Sequence, residues 1–163
     1  MHSIRLQKHL PYTANQLMDL ALDVEVYHQF VPFCERCVIR ERFERQGKDV
    51  MVAAMTVGVS IFNETFVSRV IADREVKTIR VAGIDGPLKA LVNNWQFHER
   101  DDGTTDIDFS VSFEFRSRML SMLASSRVED VCNRILNAFV DRAHAKLGAP
   151  EHGTPEQGAA KTA

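Results

Sequence analysis

The stretch Asp106–Phe115, "DIDFSVSFEF", alternates without a break. Ile107, Phe109, Val111, Phe113 and Phe115 fall on one side, and Asp106, Asp108, Ser110, Ser112 and Glu114 on the other. A period of two is that of a β-strand, whose successive side chains point to opposite faces. One greasy, aromatic face and one charged face predict an antiparallel sheet, covered on one side and wet on the other. The fold then turns on what covers the greasy side.

The residues that follow this strand supply a cover. Val128, Val131, Ile135, Leu136, Phe139, Val140, Ala143 and Leu147 recur mostly at three- and four-residue steps, the stripe of a long amphipathic helix that Gly148 ends. Ser126 with Glu129 fits a capping box, which either marks a fresh helix start after a shorter helical piece, Arg118–Ala124, or sits within one continuous helix.

N-terminal to the strand the pattern is almost all β. "SIRLQKHL" puts Ile4, Leu6 and Leu10 on one face and ends at Pro11; Thr13 then caps a helix whose stripe is Leu17, Leu20, Ala21 and Val24. Pro32 breaks any short helix over 27–30. Strands follow over 38–45, 50–59, 61–72, 76–82 and 89–99, with turns at "RQGKD", "DREV", "GIDGP" and "RDDGTT" and a bulge expected at Gly58. Strand, helix, about six antiparallel strands and a long closing helix give a two-layer α+β domain over 1–147. The polar, Pro- and Gly-containing segment 148–163 is expected to be a disordered tail.

Composition excludes several classes. A formal charge of −2 and a pI near 6.3 give no overall attraction to nucleic acid, so no DNA partner is expected. The basic segment Arg36, Arg40, Arg42, Arg45 and Lys48 is nearly cancelled by Glu35, Glu41, Glu44 and Asp49, as on a solvated strand surface. No run of about 18 apolar residues occurs. "MHSIRLQKHLPY" lacks the apolar core of a secretory signal, and three cysteines suggest reduced thiols, which together place the protein in the cytoplasm.

The chemistry-bearing motifs are sparse. Cys34 and Cys37 form one C-x-x-C, but structural zinc needs four ligands, and Cys132 and His28 do not form a second spaced pair. A dithiol redox centre wants the motif opening a helix in a βαβ unit, and here it leads into antiparallel strands. No metal site and no catalytic cofactor are expected. No G-x-S-x-G, G-x-G-x-x-G or P-loop spacing occurs. Asp106, Asp108 and Glu114 share the wet strand face, and Glu64 is the one acid flanked by apolar strand residues. What abounds instead is aromatic: Phe30, Phe33, Phe43, Phe62, Phe66, Trp95, Phe97, Phe109, Phe113, Phe115 and Phe139 spread over almost every element. A bent sheet gripping one helix often leaves an apolar cavity between them.

Four segments carry a resemblance. "VEVYHQFVPFCERC" resembles the Tyr-x-x-Phe-(Leu/Val)-Pro-(Trp/Phe)-Cys segment of the coenzyme Q-binding proteins, within the START-like, helix-grip superfamily. "GPLKALVNNWQF" is similar to their Gly-Pro…Trp-x-Phe strand, and "VSFEFRSRML" with "NAFVDRAHAKL" to their last strand and closing helix. The match runs in order from about residue 3 to residue 147, with Phe33 where many relatives carry tryptophan. Bacterial ribosome-association toxins share these motifs.

The resemblance implies a curved antiparallel sheet wrapped around the C-terminal helix, with a hydrophobic tunnel between them. It implies no enzyme but non-enzymatic binding of ubiquinone or a related isoprenoid lipid, in support of respiratory electron transport as a chaperone or carrier. Carried over, Phe30, Val31, Pro32 and Phe33 form a flap at the tunnel mouth. Pro87, Leu88, Leu91, Trp95 and Phe97 match the second motif, and Phe66, Phe113, Phe115, Leu123 and Phe139 complete the expected lining. Asn94, Trp95 or an arginine near the mouth are candidate donors to the quinone carbonyls. Transient contact with the inner membrane face is implied as well. The alternatives are a ribosome-binding module that blocks subunit association, and a cyclase-like enzyme with Glu64 as its first candidate acid.

Overall fold

The computed structural model describes residues 2–59, 61–124 and 127–148, without the side chains of Leu123 and Ala124. The sequence runs β1 (His2–Leu10), α1 (Ala14–Leu22), a 3-10 turn (Val24–Gln29), β2 (Cys34–Arg45), β3 (Lys48–Val59), β4 (Phe62–Asp73), β5 (Thr78–Asp85), β6 (Leu88–Glu99), β7 (Thr105–Phe115), α2 (Arg118–Ala124) and α3 (Val128–Leu147). All seven strands form one antiparallel sheet in the order β1-β7-β6-β5-β4-β3-β2. The helix-grip arrangement implied by the resemblance is the one adopted.

Thr13 caps α1 through a full capping box with Gln16, and the Glu99 carboxylate accepts from the Ala14 amide at 2.8 Å. Both satisfy amides that a helix start leaves without partners. At the C-terminal end of the domain, Tyr12, 1% exposed, donates its hydroxyl to the Gly148 carbonyl at 2.6 Å and lies 2.9 Å from His144 Nδ1. This latch ties the C-terminus of α3 to the end of β1. Two helices, α2 and α3, are present, which is the first of the two readings of this stretch; Ser126, half of the expected capping box, lies outside the described residues, as does the expected tail from residue 149 on.

The alternating face of β7 lies as its spacing predicts. Ile107, Phe109, Val111 and Phe113 are buried, and their cross-strand partners on β6 are Phe97, Trp95, Asn93 and Leu91. Two features differ from expectation. Strand β2 starts at Cys34, earlier than its alternation suggests, because register shifts at Cys34/Arg36 and Ile39/Glu41 break the period. Gly58 is no bulge, since it pairs in register with Asn63. Its bare Cα makes room for the Glu35 carboxylate, which would lie 1.9 Å from an added Cβ and which accepts from Asn63 at 3.0 Å.

In the tight β2–β3 turn, Gln46 (φ 53°) and Gly47 (φ 77°) both take the left-handed conformation that suits the twist of a hairpin. The β5–β6 turn is more demanding. Gly86 sits at φ 131°, and a Cβ there would come within 2.9 Å of the Thr65 carbonyl oxygen. Neither the backbone angle nor the backbone neighbour can yield cheaply, so Gly86→Ala is expected to destabilise the fold by about 1–3 kcal/mol. A fall in the thermal midpoint checks this, with Gly58→Ala as the mild control because only a flexible carboxylate must move.

Candidate functional site

Helix α3 lies across the concave face of the sheet, and its apolar stripe is not used evenly. Leu136, Phe139 and Ala143 are buried, whereas Val128, Val131, Cys132 and Ile135 are half-buried. The sheet shows the same division. On β6 the inward residues Trp95 and Phe97 are buried while Leu88 and Leu91 are not; on β4 Val70 and Ala72 are buried while Phe66 is not. The domain therefore has a solid half, toward α1 and the Tyr12 latch, and an open half, toward α2.

The solid half is built from aromatic rings. Trp95 stacks on Phe97 at 5.9 Å and meets Phe109 and Phe139 edge-on at 4.9 and 5.1 Å. The indole N–H donates to Asn93 Oδ1 at 2.8 Å, and the Asn93 amide donates to the Ser110 carbonyl at 2.9 Å. The void left between Leu10, Leu17, Trp95, Phe97, Ile107 and Phe139 measures about 10 Å³. That is room for one water at most. The implied tunnel does not run through this half, because aromatic side chains fill it.

The open half is different in kind. Leu88, Leu91 and Phe115 form a half-buried apolar strip packed against the core, as are Val128, Cys132 and Ile135 of α3, and half-buried Phe66 lies in the inward row of β4 opposite Met55. Gly83 lies on the same face, where a Cβ would press to 3.0 Å from Leu91 Cβ. The hydroxyl of Ser68, in the same inward row as Phe66 and Val70, has no hydrogen-bond partner among the described residues.

The expected lining residues thus separate. Trp95, Phe97 and Phe139 are core of the solid half; Phe66, Leu88, Leu91 and Phe115 line the open half, with Pro87 in the adjoining turn. Phe113 is buried between them, stacked on His2 at 5.3 Å and edge-on to Phe115 at 5.5 Å. Leu123 lies in α2, with its side chain outside the described residues. Met55, Val81, Cys132 and Ile135 are not singled out by the sequence motifs, yet they flank the strip. Inward alternation on β3 and β5, extended to residues lacking a ring, is the signal that would have found Met55 and Val81; the helical stripe already holds Ile135 and passes beside Cys132.

The segment Phe30–Phe33 is held from both sides. Phe30 packs edge-on against Tyr27 at 5.8 Å and Phe139 at 5.2 Å, and the Arg142 guanidinium lies 4.8 Å from its ring centre. Val31 is buried, and its amide donates to the Tyr27 carbonyl at 2.7 Å. Phe33 takes φ 70°, an unusual angle for a bulky residue, and its carbonyl accepts from Gly58 at 2.9 Å. Phe30 therefore flanks the solid half, and only Phe33 reaches the open end. Beside Phe30 a surface cleft of about 360 Å³ is lined by Leu20, Asp23, Val26, Gln29, Phe30, Arg142 and Lys146.

Cys34 and Cys37 are both buried on the concave face. Burial pushes the Cys34 thiol up, and pushes Cys37 up to about 12. Thiols so shifted are protonated and poor nucleophiles at neutral pH. An unfolded thiol titrates near 9.0, so between pH 9.0 and about 12 the unfolded protein releases a proton that folded Cys37 keeps. Stability must fall as pH rises through that window. Replacing Cys34 and Cys37 by serine is expected to make the fall shallower, as seen by comparing denaturant midpoints at about pH 8 and about pH 10. No group of three or more His, Cys, Asp or Glu residues converges among the described residues.

The acids of the wet face are paired. Asp106 accepts from His9 at 2.7 Å and Arg100 at 2.8 Å, Asp108 from Arg5, and Glu114 lies 3.8 Å from Lys89. The hydrogen bonds from these partners hold Asp106 and Asp108 below the usual carboxylate range. Glu64 is exposed at the start of β4, opposite Val57. Asn94 faces outward beside Arg80, at 3.5 Å, and the Trp95 N–H is already engaged, so neither serves as a donor to a ligand on the concave face.

Comparison with known proteins gives a consistent picture. The family model described as polyketide cyclase / dehydrase and lipid transport matches residues 10–140. The mitochondrial coenzyme Q-binding protein coq10 of Schizosaccharomyces pombe is 30% identical over 143 residues, 87% of each chain. The ribosome association toxin RatA of Escherichia coli is 29% identical over 134 residues, 82% of each chain. Among solved structures, an 18 kDa protein of Caulobacter crescentus superposes with a TM-score of 0.74 at 31% identity, covering 91% of this chain and all of that one.

Proposed function

The chain belongs to the polyketide cyclase / dehydrase and lipid transport family, and from that membership we propose that it binds an isoprenoid quinone or a similar lipid without transforming it. The observation that carries this reading is the open half: an apolar strip of Phe66, Leu88, Leu91 and Phe115 that α3 leaves partly uncovered. A folded domain gains by covering such a strip. Each CH₂ group of a polyprenyl tail laid there contributes about 0.8 kcal/mol on leaving water. In this reading the Ser68 hydroxyl donates to a quinone carbonyl, supported by its position in the inward row beside Phe66. Affinity then comes from area and shape, with no proton to transfer.

The similarity to a coenzyme Q-binding protein over most of the sequence supports the quinone as ligand. Among the described residues no helix is long and apolar enough to cross a membrane. In this reading the domain shields the lipid between membrane sites that use it. Mass spectrometry of a solvent extract of the purified protein, and titration with a short-chain quinone read through the single tryptophan, test it together. Bound quinone and saturable quenching are expected. Their joint absence overturns the reading.

A second reading rests on the similarity to a ribosome association toxin at nearly equal identity. The convex face carries Arg36 and Arg69 in no ion pair among the described residues, which would suit RNA phosphates, although the net charge of −2 opposes it. Co-sedimentation with large ribosomal subunits separates the two. A cyclase-like reaction finds less support: its first candidate acid, Glu64, stands exposed at the rim, and unchanged behaviour of Glu64→Gln toward the lipid is expected.

A further inference from the structure

The cleft beside Phe30 takes no part in the lipid reading. It lies at the C-terminal end of α3, and Arg142 in its wall stands about two turns, or about 10 Å, along the helix from Ile135 of the open half. The contacts of Phe139 with Phe30 and Trp95, at 5.2 and 5.1 Å, fill the space between the two.

The lining is divided by chemistry. Half-buried Leu20, Val26 and Phe30 form an apolar floor, and Arg142 and Lys146, one turn apart on α3, form a cationic wall. Like charges at that spacing repel each other. The helix dipole favours a cation in the last turn, which accounts for Lys146 alone. It does not account for Arg142, which is half-buried and held in one place. Its guanidinium lies 4.8 Å from the Phe30 ring centre and donates to Gln29 Oε1 at 3.1 Å. That bond leaves most of the guanidinium N–H groups free. Neither cation has an ion pair among the described residues, although the Asp23 carboxylate lines the same cleft. Two positive charges therefore stand against one negative. At about 360 Å³ the cleft falls near the lower end of the range for small-molecule sites.

We propose that this cleft binds a small monocarboxylate with an aromatic or short aliphatic body. The carboxylate takes the free N–H groups of Arg142 as a forked pair, Lys146 adds a second cationic donor, and the apolar body lies on Leu20 and Val26. The surplus of one positive charge selects a monoanion, because Asp23 repels the second charge of a dianion such as a phosphate monoester. A cleft of this size suits a compact ligand and not a long acyl chain.

Titration of the full-length protein with benzoate, and with benzamide as its uncharged counterpart, tests the proposal by calorimetry and by backbone amide shifts. Benzoate is expected to saturate with a Kd of about 1 mM or below and to move the amides of Leu20, Val26, Gln29 and Lys146. Benzamide is expected to bind at least about tenfold more weakly. Arg142→Lys keeps the charge but loses the fork, and is expected to weaken benzoate about tenfold. Lys146→Gln is expected to weaken it about threefold and Asp23→Asn to tighten it about threefold. The side chains of Asp23 and Lys146 are exposed and make no hydrogen bond or ion pair among the described residues, so neither change moves the thermal midpoint. Tighter binding in Asp23→Asn is a response that a merely structural role does not give. Four results each overturn the proposal: no saturable benzoate binding, equal binding of benzamide, an unchanged Kd in Arg142→Lys, or displacement of benzoate by a short-chain quinone.

Discussion

Trp95→Ala is expected to lower the free energy of unfolding by about 3–5 kcal/mol, measured by denaturant titration. The indole is 6% exposed, lies against three phenylalanine rings and donates to Asn93. Truncation leaves a ring-sized cavity in a half whose existing void is about 10 Å³, so the neighbours have little freedom to collapse into it. It also strips half-buried Asn93 Oδ1 of its donor, a further penalty of up to about 1 kcal/mol because water reaches it in part. For a domain whose total stability is about 5–15 kcal/mol, this is a large share. Lost lipid binding in this variant would therefore report unfolding and not ligand contact. A loss below about 1 kcal/mol would show that the aromatic half is loosely packed after all.

Leu91→Asp separates binding from folding. Leu91 lies on the same strand face as Trp95, but in the half that α3 leaves open. A carboxylate there keeps access to water in the empty protein, so stability falls by about 1–2 kcal/mol. In the complex the same carboxylate faces an apolar tail and must be desolvated. Quinone affinity is expected to drop about a hundredfold, equivalent to about 2.7 kcal/mol. Unchanged affinity would remove the open half as the binding site and direct attention to the cleft beside Phe30, where Arg142 and Lys146 would select an anionic head.

These two variants also mark how far the sequence can be read. The resemblance names Leu91 and Trp95 together, and both lie on one inward face of β6, because side-chain period is a local property of the strand. It cannot say that one is sealed and the other open. That depends on how closely α3 approaches the sheet at each end, which sheet curvature and the Tyr12 latch decide over more than a hundred residues of separation. The helical stripe from Val128 to Leu147 is likewise continuous in sequence, yet burial begins only at Leu136. The seven-stranded order is within reach of the sequence, since hairpin turns join neighbours and only β1 returns from a distance to pair with β7. The start of β2 and the role of Gly58 are not, because the first depends on two register shifts and the second on a side chain from the adjacent strand. The aromatic-proline segment stands out by its composition, but its rings mostly brace the solid half.

Strand β2 ends the sheet on one side, with its outer hydrogen-bonding groups unmatched by another strand. An edge of this length is a template on which further copies can add as strands, toward insoluble aggregates. The two register shifts distort its first half, and from Arg40 to Arg45 only Phe43 interrupts a run of arginine and glutamate. This run of charge on a solvated strand therefore also has a protective effect: an incoming strand would have to match a kinked, ionic border. Neutralising Arg40, Glu41, Glu44 and Arg45 together would leave the lipid site intact and take away the protein's defence against its own copies.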